Sequence, residues 1–437
     1  MTLFGIAWRN IRQRALTSGL TALSLALGVA LVVATLVTAG IVKQAFNSGA
    51  GLGYNMIVGA KGSPLQLVLN SVYLISRPIE NVSWGFYEQF LPAERRGDGQ
   101  AGTFAGSVQT AVPICMGDYF RGHRVVGTNA AYFDRLTYGN GRPFAFAAGE
   151  NFRDADLFGG VLGADVARRL GLKVGDAFSP THGADDGLVH DPFIVRGVLA
   201  RTDTPVDRGV YVNMEGFYLQ EGHAKPVAGT APSAHHKPTE TAAGQPAPLP
   251  PEQREVTAIL VETASLPGLP PELMAMGLKQ AINEGRDGQA AEPIREIRQL
   301  LDLFVRPLEL LLLLVTVLVV IVSAIGILVS MVGSSLERSR DVAVMRALGA
   351  RRGHVLATVL IEAILLAVGG GLAGWALGHA VVAAIGPLIT TGAGVTASFF
   401  STSPAELLLV PFLIGLAILA ALLPALSAYR TDVSRWL

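Results

Sequence analysis

One cysteine, Cys115, stands among 437 residues, so the chain forms no internal disulfide and is no cystine-stapled scaffold. Charge is also scarce. Only 16% of residues are Asp, Glu, Lys or Arg, against about a quarter in an average soluble domain. Lys and Arg together number 34, as do Asp and Glu, so nothing in the net charge points to nucleic acid. Familiar catalytic signatures are missing as well. There is no G-x-x-x-x-G-K-[ST] loop, H-E-x-x-H, G-x-S-x-G or paired-Cys motif, which removes support for an ATPase, a zinc protease or a serine hydrolase within these residues. "VGAKGSP" (58–64) has the composition of a phosphate loop in the wrong order, and Asp185, Asp186 and Asp191 read as a solvated turn. The chain reads as non-catalytic.

What the chain has in quantity is apolar residues: half the total, with a mean hydropathy of +0.43. Four runs, 17–42, 307–333, 355–385 and 405–429, reach the roughly 20 residues a helix needs to cross a bilayer. The first follows Arg9, Arg12 and Arg14, as a signal peptide would. It is longer than the about 7–15 apolar residues of such a segment, so it reads as a retained anchor. Arginines crowd 1–16, 334–354 and 430–437, while 386–404 has neither Lys nor Arg. By the positive-inside bias both termini and the 334–354 loop are cytoplasmic. Residues 43–306 and 386–404 then lie on the other side. The expected fold is an α-helical membrane protein with four transmembrane helices and a mixed α/β extracytoplasmic domain inserted between helices 1 and 2.

Inside 43–306, the stretches 191–200, 209–214 and 256–262 are rich in branched residues and read as strands. Stretches 164–172 and 271–285 read as helices, each closing on a glycine. Residues 222–253, crowded with Pro, Ala, Gly and Thr, read as a flexible insertion. At the N-terminus Phe4, Ala7, Trp8, Ile11 and Ala15 share a helical face away from the arginines, which suits a helix lying in the membrane interface on lipid. Small residues recur at every fourth position in two runs: Ser18, Ala22, Ala26, Ala30, Ala34 and Thr38, then Gly370, Gly374 and Gly378. Such ladders let helix backbones approach closely in lipid. Whether each ladder meets its own chain or a second copy is open at this point. Glu362 and His379 are ionisable groups inside the third run, where burial against protein is expected and Glu362 looks structural.

Two features remain as candidate sites. Of only eight histidines, His182, His190, His223, His235 and His236 fall in one part of the large domain. Converging imidazoles are good zinc ligands, and His182, His190 and His223 are the candidates, although their spacing matches no metal motif. The second is "SSLERSRDVAVMRALGARRGH" (334–354), between two apolar runs. Ser334 and Glu337 stand at capping-box spacing, Gly349 at the far end, and Val342 and Met345 form an apolar strip. A short capped helix with a charged rim looks like a plug for a cytoplasmic socket.

"ERSRDVAVMRALGARRGHV" resembles the cytoplasmic coupling helix of the MacB/FtsX-type ABC permeases, the type VII architecture that includes lipoprotein-releasing permeases. "AWRNIRQRALTSGLTALSLALGVAL", "LIEAILLAVGGGLAGWALG" with Glu362, and "LLPALSAYRTDVSRWL" are similar to that family's first, third and closing segments. "GGVLGADVARRLGLKVGDAF" resembles its exported core, while 222–253 looks like an insertion outside the pattern. The resemblance implies a bacterial inner-membrane permease, paired with a second copy and with separate P-loop ATPase subunits. ATP-driven closure of the partner would move the exported domains and act on a periplasmic partner protein or cargo. Carried over by position, Glu337, Arg338, Arg340, Asp341, Val342, Met345, Arg346 and Gly349 would contact the ATPase. Cargo is open among lipoprotein, lipid, peptide and metal-linked species. The rival readings are an FtsX-like regulator of an envelope enzyme and an ATPase-independent channel or carrier.

Overall fold

A computed structural model describes residues 2–139, 141–183, 187–223, 225, 248–265, 268, 270–337, 350–393, 402 and 404–430. The chain divides into two compact units, one made of Met1–Gln44 and Asp302–Leu437, the other of Ala45–Leu301.

The first unit is helical. Thr2 caps the helix Leu3–Gln13 by accepting from the Gly5 N–H, and Arg14 breaks it before Ala15–Ala50 begins. Ala7 is fully buried while Phe4 and Trp8 are exposed, the division an interfacial helix requires. Among the described residues, three helices are long and apolar enough to cross a membrane: Ala15–Gln44, Pro293–Gly333 and Arg352–Gly386. A shorter apolar helix, Glu406–Leu422, lies where the fourth crossing is expected. The expected break at Ser334 does not occur. Arg306–Glu337 is one helix and takes in both Ser334 and Glu337. Extending a formed helix costs far less than nucleating another. The next helix starts earlier than the apolar pattern suggests, at Arg352, and runs to Ala393.

The two small-residue ladders meet each other within the chain. A side chain at Gly374 would reach within 2.5 Å of the Ala26 carbonyl and 2.7 Å of Val29 Cβ. One at Gly370 would meet the Ala22 carbonyl at 2.9 Å, and one at Gly378 the Ala30 carbonyl at 2.9 Å. Glycine is needed here because backbone faces backbone. The sequence left the ladders' partner open; Gly370, Gly374 and Gly378 meet Ala22, Ala26 and Ala30 of the same chain. Beside it, Ser323 of Arg306–Glu337 packs near Gly28 and is buried. Lys43 and Glu309 pair at 2.8 Å near the ends of their helices.

The second unit is built on a mixed sheet. Its main path runs Gln289–Ala291, Met56–Gly59, Ala258–Thr263, Val108–Phe120, His123–Thr128, Val210–Asn213, Gly159–Leu162, Phe193–Leu199, Phe146–Gly149. Both faces are covered, and alternate residues of one strand feed two separate cores. Met56, Val58, Ile259, Val261, Val210 and Val212 enter one; Ile57, Ala258, Leu260 and Tyr211 enter the other. Helix Ala164–Leu170 ends on Gly171 in the left-handed conformation, the C-terminal stop its sequence announces. Helix Pro271–Glu284 is likewise where expected. Serine at 63 caps Pro64–Ser71 by accepting from the Gln66 N–H, so "VGAKGSP" is a strand-to-helix turn.

The stretch 222–253 departs from expectation at both ends. Leu249 is buried in a core, the Lys225 N–H donates to the Gln253 carbonyl at 3.0 Å, and Pro251–Gln253 is a 3-10 turn. A window average of Pro, Ala and Gly conceals these anchoring residues. Residues 226–247, including His235 and His236, lie outside the described residues.

Candidate metal centre

The long central strand carries a bulge. Met116 pairs with Val126 and Tyr119 with Arg124, so Gly117 and Asp118 together oppose Val125 alone. A bulge re-aims the side chains at its position. On the strand's other edge the short strand Thr181–His182 pairs with it, placing His182 directly across from Asp118. The chain then loops back: the His182 N–H donates to the Leu188 carbonyl at 2.9 Å and the His190 N–H to the Pro180 carbonyl at 2.8 Å. Gln220 holds the next residue, its Oε1 accepting from the Asp191 N–H at 2.8 Å. After helix Met214–Tyr218, Gly222 turns the chain at φ +88°, a left-handed value that favours glycine, and His223 follows with its ring 4.1 Å from that of Phe217.

These four side chains converge. His182 Nδ1 lies 3.2 Å from Asp118 Oδ1; His190 Nε2 and His223 Nε2 lie 3.3 and 3.1 Å from Asp118 Oδ2. The two Nε2 atoms are 3.1 Å apart, and one ligand atom from each residue falls within a 4.8 Å group. The Asp118 side chain is fully buried and those of His190 and His223 nearly so, while His182 is 46% exposed and forms the open edge. Although the imidazoles are close, neither Asp118 oxygen has an aligned hydrogen-bond donor among the described residues. The His190 and His223 Nε2 atoms lie within hydrogen-bond distance of each other.

Burial alone would raise the Asp118 carboxyl; the adjacent His190 and His223 outweigh it and hold the group at about 2. Burial also lowers His223, with His190 and His182 acting in the same direction against the pull of Asp118. A carboxylate surrounded by imidazoles is a donor set that can ligate a cation.

His182, His190 and His223, singled out by composition, are thus brought together, and Asp118 joins them. Sequence reading missed Asp118; its one signal is a lone acid inside the apolar stretch "ICMGDYF". Glu406 was missed too. It is buried and lies 2.9 Å from the fully buried His379, and it accepts from Trp375 Nε1 at 3.0 Å. Glu362 is buried, as expected. Among the coupling candidates Glu337 is helical, whereas Arg338, Arg340, Asp341, Val342, Met345, Arg346 and Gly349 lie outside the described residues.

Comparison with known proteins places the chain in a family. The family model for the MacB-like periplasmic core domain matches residues 18–243, and that for the FtsX-like permease C-terminal region matches 313–433. Among curated proteins, a stretch of 85 residues is 36% identical to the macrolide export ATP-binding/permease protein MacB of Neisseria meningitidis serogroup A, covering 20% of this chain and 13% of that protein. The MacB protein of Chlorobium luteolum is 29% identical over 177 residues, covering 35% and 26%. That of Bordetella avium is 35% identical over 138 residues, covering 31% and 20%. The matched stretches thus span about an eighth to a quarter of those relatives' length. Since the core-domain model alone takes in more than half of the residues and the second covers the C-terminal apolar helices, this chain belongs to the MacB/FtsX-type family of ABC transporter permeases.

Proposed function

We propose that this chain is the non-catalytic permease subunit of a bacterial inner-membrane ABC transporter and is driven by ATP hydrolysis in a separate subunit. The relatives' name joins ATP binding to permease, yet these 437 residues hold no phosphate-binding loop. One observation carries the reading: a charged segment with an apolar strip joins two membrane-length helices, one ending at Glu337 and the next starting at Arg352. In this reading Glu406–Leu422 belongs to a fourth crossing, both termini and 338–349 face the cytoplasm, and two copies pair. The coupling residues Glu337, Arg338, Arg340, Asp341, Val342, Met345, Arg346 and Gly349 dock on the ATPase. The glycine–alanine seam supports transmission of force, because two helices in backbone contact move as one body. Motion then reaches the periplasmic domain, which acts on an envelope cargo or partner protein. Lipoprotein, lipid, peptide and metal-linked cargo all suit this mechanism.

Purification of the tagged protein from its native membrane in mild detergent tests the coupling. A P-loop ATPase should accompany it in stoichiometric amount and be lost from Met345→Glu, whose carboxylate would be forced into an apolar socket. Arrival of the chain without an ATPase, or full retention of the ATPase by the variant, would overturn the reading.

A further inference from the structure

We propose that the periplasmic domain holds a resident zinc-class divalent ion, ligated by Asp118 Oδ2, His182 Nδ1, His190 Nε2 and His223 Nε2. The proposal is independent of whether the chain couples to an ATPase.

Geometry carries it first. Nitrogen and oxygen donors at about 2.0–2.2 Å from a tetrahedral Zn²⁺ stand roughly 3.3–3.5 Å from one another. The separations are 3.1 Å between the two Nε2 atoms and 3.1 and 3.3 Å from these to Asp118 Oδ2, at or slightly below that range, and one ligand atom from each of the four residues falls within a 4.8 Å group. His190 and His223 share one hydrogen bond through their Nε2 atoms, and both stand beside the Asp118 carboxylate without an aligned N–H on either of its oxygens among the described residues. Burying a carboxylate without a donor or a cation is expensive, and an ion at the point of convergence removes that expense.

The donor set selects the class of ion. Three imidazoles and one carboxylate, with no thiolate, suit Zn²⁺ and its neighbours among the divalent transition metals, and are poor ligands for Cu⁺. Among these four residues an all-oxygen ion such as Ca²⁺ or Mg²⁺ would find a single oxygen-bearing side chain. Four protein ligands make a closed coordination shell, the form of sites that keep their ion. The ligands come from three places: the bulged central strand, the loop that begins and ends at His182 and His190, and the chain after Met214–Tyr218. The ion therefore ties two excursions of the chain to the middle of the sheet. The half-exposed His182 provides the edge through which it enters.

The test uses full-length protein carrying a histidine-free tag, stripped with a strong chelator, desalted, and titrated with Zn²⁺ alone. One Zn²⁺ per chain should bind, survive desalting and raise the melting temperature. His190→Ala and His223→Ala should each weaken binding by about 100-fold or more, at least matching the loss seen when supporting residues of metal sites are removed. The double variant His235→Ala/His236→Ala should bind as the parent does. Co²⁺ in the parent should give the intense visible bands of four-coordinate cobalt, a readout that stands even if a ligand variant misfolds. Absence of stoichiometric zinc, six-coordinate cobalt spectra, or binding lost only with His235 and His236 would each overturn the proposal.

Discussion

Asn213 shows how much a single side chain can carry. It ends the strand Val210–Asn213 and caps the next helix, its Oδ1 accepting from the Glu215 N–H at 2.9 Å. Its Nδ2 donates to the carbonyls of Arg153, Asp154 and Asp156 at 3.0–3.1 Å, and the residue is buried. Asn213→Ala removes the cap and strips a donor from those carbonyls, so we expect a loss of about 2–3 kcal/mol. Asn213→Asp, which turns a buried carboxylate oxygen towards those three carbonyls, should cost at least as much. Melting of the purified variants checks this; an unchanged Asn213→Ala would mean the carbonyls find water. At this scale the sequence was half legible for the metal centre. Histidine is rare enough here that a local excess stands out, whereas Asp118 is one acid among many until a strand bulge turns it towards the same space.

Elements were legible where one physical signal dominated. The strands Phe193–Leu199 and Ala258–Thr263 announce themselves through branched residues, and Ala164–Leu170 through its terminal glycine. The central strand Val108–Phe120 did not, because it contains Pro113, Gly117 and an unbroken apolar stretch with no alternation. Pro113 is tolerated because the ladder to His123–Thr128 ends one residue away, at Ile114. Full burial on both faces erases the period that would betray a strand. The ladders were visible in the sequence, but not that each was the other's partner. That seam makes a sharp expectation. Gly374→Ala places a methyl against the Ala26 carbonyl and should destabilise the detergent-solubilised protein by about 1–3 kcal/mol. Gly369→Ala, whose added carbon meets nothing within 4 Å, should not. Equal melting of the two would separate the helices from this packing.

For the whole molecule the membrane reading rests on arginine placement and helix length, both plain in the sequence, and it predicts sidedness. Cys115 is buried, its sulfur 3.2 Å from the Tyr218 hydroxyl, and burial pushes its thiol up to about 12. The native protein should therefore ignore an impermeant maleimide. Cysteine at the exposed Glu94 should be labelled on intact spheroplasts, and cysteine at Arg340 only after the membrane is opened. Labelling of both from one side would overturn the topology.

The same sealed sulfur has a kinetic meaning. In a chain with no other thiol, alkylation proceeds only while the sheet around Cys115 stands open, so its rate measures how often the periplasmic domain breathes. A transporter that flexes this domain in each cycle would speed that clock during turnover. One that swings it as a rigid block would leave the clock running at its resting pace.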